Sequence, residues 1–225
     1  MVAEDFSQPI LDGPGATDYE RYLRTDELLA LQKSAEEMHH RDELLFTTVH
    51  QSSELWLKLA CFEVEEAVHA EAGAALRSLG RAVLCLRLVT DALEMLERMS
   101  PRDFAAVRTQ LGHGAGFDSP GFRRLHSLAP GLWERFNAEL GGLSLLELYR
   151  HEPEPLYALA EALLELDELV TMWRVRHFKT VERTIGGEVI GTQGTPVEVL
   201  GRLLHKRWFP ELWAVRNELT RAAAT

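Results

Sequence analysis

From Asp18 onward, apolar residues return every three or four positions, and no convincing run alternates with the period of two that a half-buried strand requires. That rhythm predicts an all-α fold. Helices are expected over 18–34, 42–71, 75–98, 101–112, 154–185, 196–206 and 210–222. Their ends are signposted. Ser100-Pro101-Arg102-Asp103 sets a capping hydroxyl, an N1 proline and a first-turn carboxylate in order. Thr195-Pro196-Val197-Glu198 repeats the device, with Glu198 at the spacing of a capping box. Gly186-Gly187 closes the helix before it, because glycine accepts the left-handed cap. Between about 113 and 153, Gly114, Gly116, Pro120, Pro130, Gly141 and Gly142 break the text, which predicts loops and short helices. Residues 1–17 read as a flexible N-terminal arm, leaving 18–225 as a single helical domain. Long helices with apolar stripes make a bundle, and bundle cores often house cofactors.

Bulk properties narrow the function. With 46% hydrophobic residues, a chain of 225 residues has material for one buried core. A net charge of −11 argues against nucleic-acid binding, which needs a basic stripe to displace phosphate counterions. Cys61 and Cys85 sit in apolar helical text without CxxC spacing and read as buried free thiols of a reducing cytosol. No secretory signal or membrane-spanning run is visible, so a soluble cytoplasmic protein is expected. HExxH, P-loop and Rossmann fingerprints are absent, as is CxxCH, so any haem would be non-covalent and of the b type.

Three polar residues fall on apolar stripes. Val170, Trp173, His177 and Val181 run at i, i+3, i+7 and i+11, so His177 lies on the buried face of the long helix. It reads either as a core histidine bonded to a backbone carbonyl or as a metal or haem ligand, neutral imidazole being the usual nitrogen donor. Arg174, Arg176, Lys179 and Arg183 flank it, placed to pair with surface acids or with haem propionates. Phe46, His50, Ser53 and Leu57 share a second face, where His50 is either packed or the hydrogen-bonding group of an apolar pocket. Phe104, Arg108 and Leu111 form a third. A buried arginine needs a partner, which is either an internal carboxylate or the carboxylate of a substrate. The pairs Glu36–His39, Glu37–His40 and Glu66–His69 have the ExxH spacing of di-iron bundles, but they fall near helix ends in polar text and read as solvated faces.

Taken together, these residues resemble the tryptophan 2,3-dioxygenase family. The resemblance begins at Tyr19-Glu20-Arg21-Tyr22-Leu23 and Asp26-Glu27-Leu28-Leu29. It continues through Asp42-Glu43-Leu44-Leu45-Phe46, His50-Gln51 and Glu54-Leu55-Trp56-Leu57-Lys58, and returns at Phe104, Arg108 and Gly116-Phe117-Asp118-Ser119. Its most specific part is WRVRHFKTVERTIG (173–186), then Gly191-Thr192, then FPELWAVRNEL (209–219). The resemblance implies a helical homotetramer with haem b that opens the indole ring of L-tryptophan with O2, giving N-formylkynurenine and feeding the kynurenine pathway. By position, His177 resembles the axial iron ligand and His50 the distal histidine that bonds the indole N–H. Phe46 and Phe104 resemble substrate-pocket rings, Arg108 the arginine that pairs with the substrate carboxylate, and Thr192 a loop threonine near the amino-acid head group. Tyr19, Tyr22 and Leu23 resemble residues that reach into a neighbouring subunit's pocket.

Several positions depart from the family pattern. Gly114-Ala115 replaces a serine pair, Asp118 a glutamine, and Leu93 a tryptophan common near the haem in bacterial members. The loop Gly191-Thr192-Gln193-Gly194-Thr195-Pro196-Val197 replaces a glycine- and serine-rich one, and much of the usual insertion between the Arg108 and His177 helices is missing. The leading expectation is a haem-dependent oxygenase of tryptophan or a close indole derivative. The alternatives are a tailoring mono-oxygenase or peroxygenase acting on a substituted tryptophan or another aromatic amino acid in secondary metabolism, and a non-catalytic haem-binding protein.

Overall fold

The computed structural model describes residues 8–191, 194 and 196–224. Their order is α1 Asp18–Leu23, α2 Thr25–Leu29, α3 Asp42–His69, α4 Ala72–Leu96, α5 Pro101–Arg108, a 3-10 turn Gly116–Asp118, α6 Pro120–Leu140, α7 Leu145–His151, α8 Leu156–Ile185, α9 Glu198–Leu203 and α10 Pro210–Ala223. Among the described residues there is no β-strand; one isolated bridge pairs Ile190 with Pro196. The all-α expectation holds.

Boundaries moved where local chemistry overrode periodicity. The helix expected over 18–34 is two short ones, because Arg24 adopts a left-handed backbone (φ 53°) and restarts the chain as α2. The helix expected over 101–112 ends at Arg108. The larger correction is α6, 21 residues long where loops and short helices were expected. Ser119 caps it and Pro120 opens it, the device already recognised at Ser100-Pro101, where the structure shows a full capping box. Pro130 sits inside α6, yet Leu125, Ala129, Leu132 and Phe136 bury one continuous stripe that outweighs the lost backbone bond. At α8 the expected glycine stop is present, with Gly186 at φ +88°. The capping box expected at Thr195 and Glu198 lies outside the described residues, and α9 begins two positions later than its proline.

Two residues link α3 to α4, so these helices run as an antiparallel hairpin, with α8 against α4 and α6 against α3. Gly121 permits the last contact. A Cβ there would stand 2.5 Å from Leu57 Cβ and 2.8 Å from Glu54 Oε2. The main core joins α3, α4, α6, α8 and α10 through residues such as Ala60, Leu86, Phe136, Leu163 and Leu212. A smaller core gathers Val49, Leu93, Leu96, Met99 and Val107, with Phe46 and Phe104 against it, and Trp173 borders both. Cys61 and Cys85 are free and buried, as expected. None of the described helices is long and apolar enough to cross a membrane.

One buried carboxylate fastens the C-terminal helix. Asp167 of α8 is fully buried, and its Oδ2 accepts the backbone N–H groups of Trp208 (3.1 Å) and Phe209 (3.2 Å) and the indole N–H of Trp213 (2.9 Å). Asp167→Ala leaves three donors without their acceptor and is expected to cost about 3 kcal/mol. A lowered urea midpoint checks this; an unchanged midpoint contradicts it.

Candidate functional site

A cavity of about 450 Å³ lies where the two cores meet, and all three stripes singled out in the sequence face it. From α8 come Val170, Trp173, His177 and Val181; from α3, Phe46, His50, Ser53 and Leu57; from α5, Phe104 and Arg108.

His177 forms no hydrogen bond or ion pair with any described residue, so the core-histidine reading, which needs a carbonyl partner, does not describe it. Its ring is oriented by stacking instead. Trp173, one turn earlier, lies parallel to it with centroids 5.0 Å apart and planes at 5°, and Phe122 of α6 packs on Trp173 at 3.8 Å. Burial, with His50 nearby, pushes the His177 imidazole down to about 4, so it is neutral with a free lone pair at physiological pH. Gly116 faces the ring nitrogen: a Cβ built there would lie 3.5 Å from Nε2.

His50 stands open to the cavity. Its Nδ1 lies 2.7 Å from the Phe46 carbonyl, which only accepts, so Nδ1 carries the hydrogen and Nε2 keeps an acceptor lone pair. Desolvation lowers its pKa, against the Phe46 carbonyl and Glu54, which favour the charged form. Phe46 stacks on His50 at 4.0 Å and meets Phe104 at 6.2 Å.

Arg108 pairs with no described carboxylate. Its Nη2 donates to the Ile190 carbonyl at 2.8 Å, tying α5 to the segment before Gly191, and its other donors have no partner among the described residues. Thr192 of that loop lies outside the described residues. Tyr19, Tyr22 and Leu23 are exposed on α1 and do not line this cavity. Gly114 and Ala115 line it without a hydroxyl, and Leu93 is buried beside it. Asp118 turns back on its own loop, accepting the Ala115 N–H at 3.0 Å.

Sequence reading missed several lining residues. Glu54 holds the mouth of α6, accepting Ser119 Oγ at 2.5 Å and the Gly121 N–H at 3.0 Å. Trp208, His126 and Lys206 carry no periodic signal: His126 falls where loops and short helices are expected, and Lys206 and Trp208 lie in the turn between α9 and α10. Of the four cations flanking His177, Arg176 and Arg183 pair with Glu97 and Lys179 with Glu182. Arg174 alone has no carboxylate and donates to the carbonyls of Leu203 and Lys206. The ExxH pairs build nothing: no group of three His, Cys, Asp or Glu fit for a bare metal ion occurs among the described residues.

The donor set does fit a haem. It offers one neutral imidazole facing a largely apolar space, and the buried indole N–H groups of Trp173 and Trp208, both on the cavity wall, lack partners among the described residues.

Comparison with known proteins points the same way. A family model described as "Tryptophan 2,3-dioxygenase" matches residues 4–135. A tryptophan 2,3-dioxygenase of Caulobacter vibrioides is 34% identical, the alignment covering 89% of this chain and 98% of that protein. Those of Kineococcus radiotolerans and Anaeromyxobacter dehalogenans are 33% and 35% identical, covering 89% and 91% of this chain and 91% and 97% of theirs. The alignments run over 260 positions, longer than the 225-residue chain, so these relatives carry residues that it lacks.

Two outcomes check the site. Gly116→Val would set methyl groups against His177 Nε2, so haem uptake should fall while the far-ultraviolet circular dichroism stays unchanged; normal haem uptake contradicts the geometry. For the haem-free protein, the unfolded chain protonates His177 near 6.5 and the folded one only near 4, so stability should fall as pH drops through that window. His50 and His126 shift in the same direction, so His177→Phe should flatten this slope without abolishing it. An undiminished slope in urea midpoints contradicts the assignment.

Proposed function

Because this chain belongs to the tryptophan 2,3-dioxygenase family, we propose that it is a haem-dependent oxygenase acting on L-tryptophan or a close indole derivative, with an N-formylkynurenine-type product. The observation that carries the reading is the pair of neutral histidines on one cavity: His177 without a hydrogen bond, and His50 with Nε2 left as an acceptor.

His177 would hold the haem iron, with Trp173 fixing its ring and Gly116 leaving room beside it. Haem b, when bound, supplies the iron chemistry that lets O2 react with an aromatic ring. The chain's own side chains orient the substrate. His50 Nε2 accepts the indole N–H, while Phe46 and Phe104 pack on the ring. Arg108 pairs with the substrate carboxylate through donors that Ile190 does not use, and Thr192 completes the head-group contacts. Each contact removes rotational freedom before reaction, and the apolar walls exclude water. A desolvated carboxylate–arginine pair contributes roughly 2–5 kcal/mol to binding.

The site would be completed by other copies of the chain. Tyr19 and Tyr22 are 69% and 79% exposed, an arrangement that suits insertion into a neighbouring subunit's pocket. Leu55, Leu59 and Phe62 of α3 and Leu84 and Leu88 of α4 are exposed as well, an apolar area in keeping with a homotetramer. Buried free thiols fit a cytoplasmic location.

A second reading, a mono-oxygenase of a substituted tryptophan, is favoured by Gly114 and Ala115, which put no hydroxyl on their part of the cavity wall. With labelled O2, two labelled atoms in the product support the dioxygenase and one supports the mono-oxygenase. Adding L-tryptophan to the haem-loaded protein should shift the Soret band, and Arg108→Ala should abolish that shift at the same concentration. A shift that survives the substitution contradicts the clamp, and no turnover of tryptophan or its ring-substituted analogues contradicts both readings.

A further inference from the structure

Besides Arg108, the cavity carries a second cationic place on three elements. His126 and Arg123 come from α6, Arg174 from α8, and Lys206 with Trp208 from the turn between α9 and α10. Arg174 fixes that turn by donating Nη1 to the carbonyls of Lys206 (2.5 Å) and Leu203 (3.4 Å). The turn in turn sets Lys206 Nζ 3.4 Å from His126 Nε2, and the Trp208 ring 5.9 Å from the His126 ring.

The cluster holds no ion pair among the described residues. None of Arg123, Arg174 and Lys206 forms an ion pair with a described carboxylate, although the chain as a whole is acidic. The buried Asp167 acts favourably on Arg174 without forming an ion pair with it; its Oδ2 accepts three N–H groups, and its Oδ1 has no partner among the described residues. Desolvation, Lys206 and Arg174 together hold the His126 pKa below its ordinary value. Beside this cluster the Trp208 indole N–H is buried with no acceptor among the described residues. Three cationic side chains that no described carboxylate pairs, together with a donor that no described acceptor uses, lower the energy of an anion placed beside them.

We propose that His126, Arg174 and Lys206, with the Trp208 indole N–H, form an anion subsite at the mouth of the cavity that takes a carboxylate group. The group is either a haem propionate, which rests on the haem reading above, or a free anion held independently of haem. Arg174 is the structural member because its guanidinium also holds the turn. Lys206 and His126 are exposed, and their side chains make no other hydrogen bond with a described residue, so they can be changed without unpacking the core.

The test compares wild type with His126→Glu/Lys206→Glu, and with the milder Lys206→Met as a control on folding. Haem-free protein is titrated with haem and with haem dimethyl ester, whose propionates carry no charge. The double substitution should weaken haem binding at least about tenfold and leave ester binding nearly unchanged, because charge-assisted hydrogen bonds are lost only where a carboxylate is present. Lys206→Met should do the same to a smaller degree. Independently, inorganic phosphate added to haem-free wild type should shift the His126 ring proton in the NMR spectrum, and the Lys206→Met variant should lose that response. A phosphate response with unchanged haem affinity identifies a free anion as the occupant. If wild type fails to bind haem at all, the haem reading falls and the phosphate titration alone decides the subsite. Equal losses for haem and ester, or equal affinity for both, with no phosphate response, overturn the proposal.

Discussion

One helix has to satisfy two environments with a single stripe. Leu159, Leu163, Leu166 and Val170 of α8 are buried in the main core, and the same three-and-four spacing then delivers Trp173, His177 and Thr184 to the cavity wall. The rotation of α8 about its axis is therefore fixed by apolar burial well before His177. Asp167 sits within this stretch and fastens the start of α10, so the turn bearing Lys206 and Trp208 is indexed to the same helix. Phe122 on Trp173, and Trp173 on His177, carry that order from packing into the orientation of one imidazole.

An imidazole positioned by stacking alone differs from the usual metal-binding histidine, whose second nitrogen donates to a carbonyl or carboxylate. His50 is the opposite case, its tautomer fixed by the Phe46 carbonyl one turn away. The two histidines thus present different chemistry to one space: a lone pair fit to bind a metal, and an acceptor fit to read a donor. Arg108 adds a charge held by a backbone carbonyl, with no described acid to neutralise it. This combination suits a zwitterionic aromatic substrate beside a cofactor bound through one nitrogen.

Much of this was legible in the sequence because the site is built on helix stripes. His177, His50, Arg108, Phe46 and Phe104 each break or decorate an apolar period, and all five face the cavity. What the sequence hid lies where periodicity is silent. Pro120 and Pro130 masked α6, and with it His126 and the Phe122 contact, although Ser119-Pro120 repeated a cap already recognised at Ser100-Pro101. Arg174 looked like its three neighbours on α8, and only the fold distinguishes it: Glu97 and Glu182 lie within reach of the others and not of it. The break at Arg24 had no signal, since an arginine in the left-handed region is exceptional.

Haem binding through His177 is tested most directly by chemical rescue. His177→Gly removes the ring and leaves a space of about its size, open to free imidazole. The glycine variant should take up little haem alone, and added imidazole should restore both haem content and the Soret band of the parent protein. A glycine variant that binds haem with the parent's spectrum in the absence of imidazole would contradict the assignment.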